Sequence, residues 1–99
     1  MNTRERSFLK SRANTIKPLV SVGKDGLSEN IINEINISLY HNELIKVSVL
    51  KNNNIEPKEM ANEIAEKTGS EVVQVLGSKI TLYKFSEKEN IKHIFDDLK

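Results

Sequence analysis

Residues 17–35, KPLVSVGKDGLSENIINEI, decide how this chain folds. Pro18 ends whatever helix precedes it, because the residue before a proline avoids the helical region. Leu19 to Val22 then reads as a short strand, and Gly23 to Gly26 turns the chain. Ser28 caps a second helix and Glu29 sits in its first turn, where the macrodipole favours an acid. Ile31, Ile32, Ile35 and Leu39 form one apolar stripe along that helix. Helix stop, strand, turn and helix start in so short a stretch predict alternating α and β elements, and hence an α/β domain.

Working outward, Thr3 is placed to cap a first helix with Leu9, Ala13 and Ile16 at spacings of four and three. Downstream, Leu44 to Leu50 reads as a strand closed by Asn52-Asn53-Asn54. Pro57 suits the first turn of a third helix, whose apolar face is Met60, Ala61, Ile64 and Ala65 and whose C-terminal cap is Gly69. Glu71 to Leu76 and Ile80 to Phe85 flank Gly77-Ser78-Lys79 and make a hairpin. The order is α-β-α-β-α-β-β, with right-handed crossovers. Ser21, Lys46, Ser48 and Gln74 alternate with Val20, Val22, Val47, Val49, Val73 and Val75, which leaves one sheet face partly polar. The expected fold is a two-layer α/β sandwich with a four-stranded mixed sheet and helices mainly on one face. In the tail, SEKENIKHIFDDLK, Ser86 and Glu89 match a capping box, and Ile91, Ile94, Phe95 and Leu98 follow a helical stripe. The expectation is a domain over residues 1–85, with a C-terminal helix over residues 86–99 packed on it.

The chain has 99 residues, enough for one modest core. With 37% hydrophobic and 29% charged residues, its composition is that of a globular protein. No apolar run is long enough to span a membrane. The N-terminus lacks the apolar region of a secretory signal, and cysteine is absent, so disulfides, thiolate metal sites and cysteine nucleophiles are excluded. These features lead to the expectation of a cytoplasmic protein. The net charge of +1 is unevenly spread. Residues 1–24 carry Arg4, Arg6, Lys10, Arg12, Lys17 and Lys24 against Glu5 alone, a net +5, and the remainder carries −4. Such asymmetry points to a polyanionic partner for the N-terminal third.

The tetrad Gly23-Lys24-Asp25-Gly26 is not a nucleotide-binding P-loop, because five places before Gly23 stands Pro18 and after Lys24 stands Asp25 rather than Ser or Thr. As a G-x-x-G loop it allows close approach of a phosphate at both ends, beside the positive end of the helix starting at Ser28. A structural turn before a helix uses the same residues, so the tetrad alone leaves both readings open.

The stretches ANTIKPLVSVGKDGLSENII, ELIKVSVL and EMANEIAEKTGSEVVQVLGSKITLYK, in that order, resemble the CRM-domain family, named for chloroplast RNA splicing and ribosome maturation. The resemblance covers roughly residues 3 to 85. In plants the module recurs in organelle splicing factors; in bacteria it stands alone as a small protein bound to large-subunit ribosome precursors. It implies the α-β-α-β-α-β-β fold, RNA binding without catalysis, and ribosomal RNA of large-subunit precursors as partner. Carried onto this sequence, the RNA-binding loop is Gly23, Lys24, Asp25 and Gly26, and the basic surface beside it draws on Lys10, Arg12 and Lys17. Asp25 departs from the family, whose loop is often free of acid at its middle.

Nothing in the sequence argues for an enzyme, a cofactor or a small-molecule substrate. His93 with Asp96 and Asp97 reads as a surface helix end rather than a metal corner. Tyr83 and Phe85 read as core or edge residues rather than base-stacking platforms. The competing reading is a protein-interaction adaptor that docks through the acidic C-terminal part.

Overall fold

The computed structural model describes residues 1–98; Lys99, the last residue of the expected tail helix, lies outside the described residues. Helix α1 spans Thr3–Ala13. Its cap is Asn2 rather than Thr3: the Asn2 side chain accepts from the Glu5 amide at 2.8 Å, and the Glu5 carboxylate accepts from the Asn2 amide at 2.9 Å. This reciprocal pair satisfies two otherwise orphaned donors. After Pro18 come β1 (Pro18–Val22), α2 (Glu29–Asn42), β2 (Leu44–Val49), α3 (Pro57–Thr68), β3 (Glu71–Leu76) and β4 (Lys79–Tyr83). Ser28 caps α2 by accepting from the Ile31 amide, Pro57 opens α3, and Gly69 closes it. Among the described residues, no helix is long and apolar enough to cross a membrane.

The strands form one mixed sheet in the order β1-β2-β4-β3. β1 lies parallel to β2, and β4 is antiparallel to both β2 and β3, so the hairpin strand β4 fills the place that the α3 crossover skips. Helices α2 and α3 cover one face. There Val20, Val22, Ile45, Val47, Val49, Ile80 and Leu82 from the sheet meet Ile35, Leu39, Met60, Ala61 and Ile64 from the helices. Each Val, Leu, Ile or Met side chain among them, fully buried, contributes about 1.5–3 kcal/mol.

The first helix departs from this layer. α1 packs on the opposite sheet face, where Leu9 joins Leu44 and Val73, with Phe8, Ile16, Tyr83, Ile94 and Phe95 around them. The regular alternation expected for Val73 and Val75 also fails. The β3–β4 register shifts between Val72 and Gln74, so Val72 and Val75 face the main core while Val73 turns to α1. A bulge leaves ladder carbonyls unpaired. Arg6 fills that need, donating from one guanidinium nitrogen to the Val72 and Val73 carbonyls at 3.0 and 2.9 Å.

The tail is mostly not the expected helix. Residues 84–93 are irregular, and only Ile94–Asp97 form a 3-10 turn. The Ser86–Glu89 capping box does not form, because Ser86 is engaged elsewhere: its amide donates to the Glu43 carboxylate at 2.8 Å and its hydroxyl to the Tyr40 carbonyl at 2.6 Å. The apolar residues still find the domain. Phe95 sits 5.0 Å from the Tyr83 ring and 6.2 Å from the Phe8 ring, centroid to centroid.

Candidate nucleic-acid interface

The Gly23–Gly26 loop leaves the C-terminal end of β1 as a tight turn, closed by the Gly26 amide donating to the Gly23 carbonyl at 3.0 Å. Gly26 has φ +67°, where an L side chain is strained. Gly23 is different. A Cβ added there would meet Asn52 Oδ1 and Leu50 Cδ1 at 3.7 Å, ordinary contact distances, and its φ lies outside the left-handed region. The turn therefore explains one glycine and not the other. The loop is held from the β2–α3 connection: Asn53 Nδ2 donates to the Gly23 carbonyl at 2.7 Å while Asn53 Oδ1 accepts from the Ile55 amide at 2.8 Å. Lys24 and Asp25 stand exposed at the tip, and among the described residues their amides have no acceptor. The first turn of α2 adds further free N–H groups and its positive dipole end beside them. A hydrogen-bonded turn whose tip amides have no acceptor, an exposed ammonium and a helix start are suited to an anion such as a phosphodiester.

Other lysines converge on this end of the sheet. The Leu50 amide donates to the Val22 carbonyl and the Val49 amide to the Ser78 carbonyl, which brings Lys51 and the Gly77-Ser78 hairpin beside the loop. Lys79 Nζ lies 3.2 Å from Ser48 Oγ and 3.4 Å from Ser78 Oγ. Ser21, Ser48 and Lys79 are register partners in one rung; Pro18, Lys46 and Thr81 form the next. These two rungs belong to the face opposite α2 and α3, on which Ser48 and Thr81 are buried, Lys46 is half-buried and Lys79 is exposed.

The basic residues carried over from the N-terminal third are scattered. Lys10 is exposed on α1. The Arg12 guanidinium lies 2.6 Å from Asp97, whose other oxygen is 3.0 Å from Lys92, and stacks 5.0 Å above the Phe8 ring. Hydrogen bonds from Arg12 and Lys92 hold the Asp97 carboxyl below its usual range. Lys17 precedes β1 at the end away from the loop, and six residues of extended chain separate it from Gly23 by about 20 Å. The structure thus unites Gly23, Lys24, Asp25 and Gly26, ties Arg12 to the tail, and sets Lys17 at the far end of β1. Lys46, Lys51 and Lys79 stand nearer the loop. The sequence signalled Lys46 only as a polar residue among alternating valines, and strand pairing is what brings it near Lys79.

Away from this surface, Glu43 is fully buried at the end of α2 with φ +63°. Its carboxylate accepts from the Ser86 and Ile94 amides at 2.8 Å each and from His93 Nδ1 at 2.7 Å. Burial alone would raise its pKa, but these three donors outweigh it and hold the group below its ordinary value. His93, expected as a surface helix end, is thus a tail anchor. Tyr83 is half-buried against Phe95 as expected, whereas Phe85 is 58% exposed with its ring stacked on His93 at 4.5 Å. A half-open groove of about 690 Å³ lies between α2, α3 and the tail, lined by Tyr40, Lys67, Lys84 and Phe85 among others. Among the described residues, no group of three His, Cys, Asp or Glu is placed to hold a metal ion.

Comparison with known proteins adds an independent finding. A family model described as the CRS1 / YhbY (CRM) domain matches residues 1–84. The chain is 40% identical over 87 residues to "Probable RNA-binding protein YqeI" of Bacillus subtilis, covering 88% of this chain and 90% of that protein. It is 35% identical over 92 residues to an "RNA-binding protein" of Haemophilus influenzae, covering 93% of each. The solution structure of the hypothetical protein SAV1595 from Staphylococcus aureus matches with a TM-score of 0.75 at 43% identity, covering 91% of this chain and 95% of that one.

Proposed function

This chain belongs to the CRS1 / YhbY (CRM) domain family, and from that premise we propose that it binds ribosomal RNA in precursors of the large ribosomal subunit, in the cytoplasm. The Bacillus and Haemophilus relatives are named as RNA-binding proteins, not as enzymes. The observation that carries the reading is Gly23. The fold has room for a Cβ at that position, yet a glycine stands there, beside an exposed lysine and a helix start. A phosphate seated on the loop backbone supplies the missing reason, since a Cβ would stand between it and the amides. Asp25 weakens that attraction without blocking it, because its side chain is exposed and free to turn away.

Binding then proceeds without bond chemistry. The Lys24 ammonium and the loop amides replace the counterions and water around one phosphate, and the released ions drive association. Sucrose-gradient sedimentation of cell extract at low salt after crosslinking tests the finer claim. The protein is expected in fractions holding large-subunit precursors; recovery only among free proteins would refute the ribosomal assignment.

A further inference from the structure

We infer that the groove between α2, α3 and the tail is a second RNA contact, where an unpaired base stacks on Phe85; this rests on the RNA reading above. The observation is where the aromatic rings go. Of the five Phe and Tyr residues, Phe8, Tyr83 and Phe95 pack against one another. Phe85 and Tyr40 are left 58% and 49% exposed, and both line this one groove. A ring kept at the surface forgoes the burial that would stabilise the fold, so two in one groove point to a ligand. Phe85 is also set in place beforehand. The amide of Lys84, just before it, donates to the Glu43 carbonyl at 2.9 Å. The Phe85 ring lies within 12° of parallel to His93, with centroids 4.5 Å apart. His93 is outside the groove's lining, so the groove meets the ring from the side that His93 leaves open. A base entering there extends the stack to a third ring.

The rest of the lining suits a nucleotide. A volume of about 690 Å³ is in the range that ligand sites have. Lys84 stands exposed in the lining, its Nζ donating to the Thr68 carbonyl at 2.8 Å, which leaves two ammonium protons to give. Among the described residues no carboxylate pairs with it, so its charge complements the phosphate beside a stacked base. The lining's other charges, Lys67 and Glu87, cancel, and the ring rather than charge therefore carries most of the affinity. The loop lies at the start of α2 and the groove near its end, about 21 Å apart along its 14 residues. Twelve nucleotides cover about 40 Å even at the duplex spacing of 3.4 Å, so one short strand reaches both.

The test is a titration of fluorescently labelled 12-nucleotide single strands of U, C and A at several salt concentrations. Its variants are Phe85→Ala, the ring-keeping Phe85→Tyr, and Lys24→Asp in the loop; inorganic polyphosphate serves as a polyanion without bases. Phe85→Ala should weaken binding of the strands about 5- to 100-fold, the range for one lost base stack. Its salt slope should match wild type, because no charge is removed. Phe85→Tyr should bind as wild type, and polyphosphate should bind Phe85→Ala and wild type alike. Should Phe85→Ala keep wild-type affinity for the strands while Lys24→Asp loses it, the platform is wrong and the loop reading stands. An equal loss toward polyphosphate, or a flattened salt slope, would overturn the platform too, because bases would not be what Phe85 holds. If Phe85→Ala binds RNA normally but no longer binds a poly(Glu,Tyr) copolymer that wild type binds, the groove takes a protein segment instead. If wild-type protein binds none of the strands, both readings fall.

Discussion

A single methyl group added at either end of the Gly23–Gly26 turn separates a loop that binds from one that merely turns. Gly26→Ala places a Cβ at φ +67°, a strain of roughly 1–2 kcal/mol for an L residue. For a domain of this size, that lowers the melting temperature by roughly 4–8 °C per kcal/mol. Gly23→Ala meets only contacts at 3.7 Å and should melt as wild type. Its effect belongs to RNA affinity, which should fall because the methyl stands where a phosphate approaches. A Gly23→Ala protein that melts and binds like wild type would mean the glycine has no ligand behind it. Lys24→Asp is the stronger perturbation, since it sets two adjacent acids at the tip. A charge pair about 4 Å apart is worth ~1 kcal/mol in water and ~4 kcal/mol near a protein surface, so reversal should remove measurable binding to many RNAs alike. Lys67→Ala on α3 should change little; equal losses at Lys24 and Lys67 would indicate a diffuse charge effect rather than a loop contact.

Between elements, the tail is fastened by one side chain. Glu43 occupies a C-cap position at φ +63° that glycine would fill more easily, and it stays there because three donors converge on its carboxylate. Hydrogen bonds to a charged group contribute about 1.5–3 kcal/mol each, so His93→Ala should cost an amount in that range. The pH dependence has a definite sign. The folded-state pKa of Glu43 is lowered from the ordinary 4.5, so its contribution is fully present above that value and is lost as pH falls through the folded value. Thermal melts of wild type and Glu43→Gln should therefore differ most near neutral pH and draw together as pH falls below 4.5 and through the lowered folded-state value. A difference that stays constant from pH 7 to pH 3 would show that the carboxylate charge is not what holds the tail.

For the molecule as a whole, the sequence was most legible where signals are local. Pro18, Ser28, Pro57, Gly69 and the Gly77-Ser78 turn mark their boundaries within a residue or so, because caps and turns are decided by neighbours in the chain. The G-x-x-G loop belongs to this class. What escaped depends on distant partners. The side of the sheet that α1 chooses, the bulge at Val73 that Arg6 stabilises, and the meeting of Lys46 with Lys79 arise only after the strands pair. Arg12 counted as a free cation until Asp97 claimed it. The tail carries a genuine helical stripe, yet the Ser86 and Ile94 amides serve a buried carboxylate that no local pattern announces. This division of labour predicts the outcome of removing residues 86–99. Truncation takes the Ser86, Ile94 and His93 donors from the Glu43 carboxylate, strips Phe95 from Phe8 and Tyr83, and releases Arg12. Losing three hydrogen bonds to a carboxylate together with the burial of Phe95 costs at least about 3 kcal/mol. The melting temperature should therefore drop by at least about 12 °C. RNA affinity of the folded fraction should hold, because the tail packs by Leu44 and Tyr83 at the end of β2 away from the loop, and the released Arg12 adds positive charge rather than removing it. A truncated protein that melts as wild type but no longer binds RNA would place the interface on the tail instead of the loop.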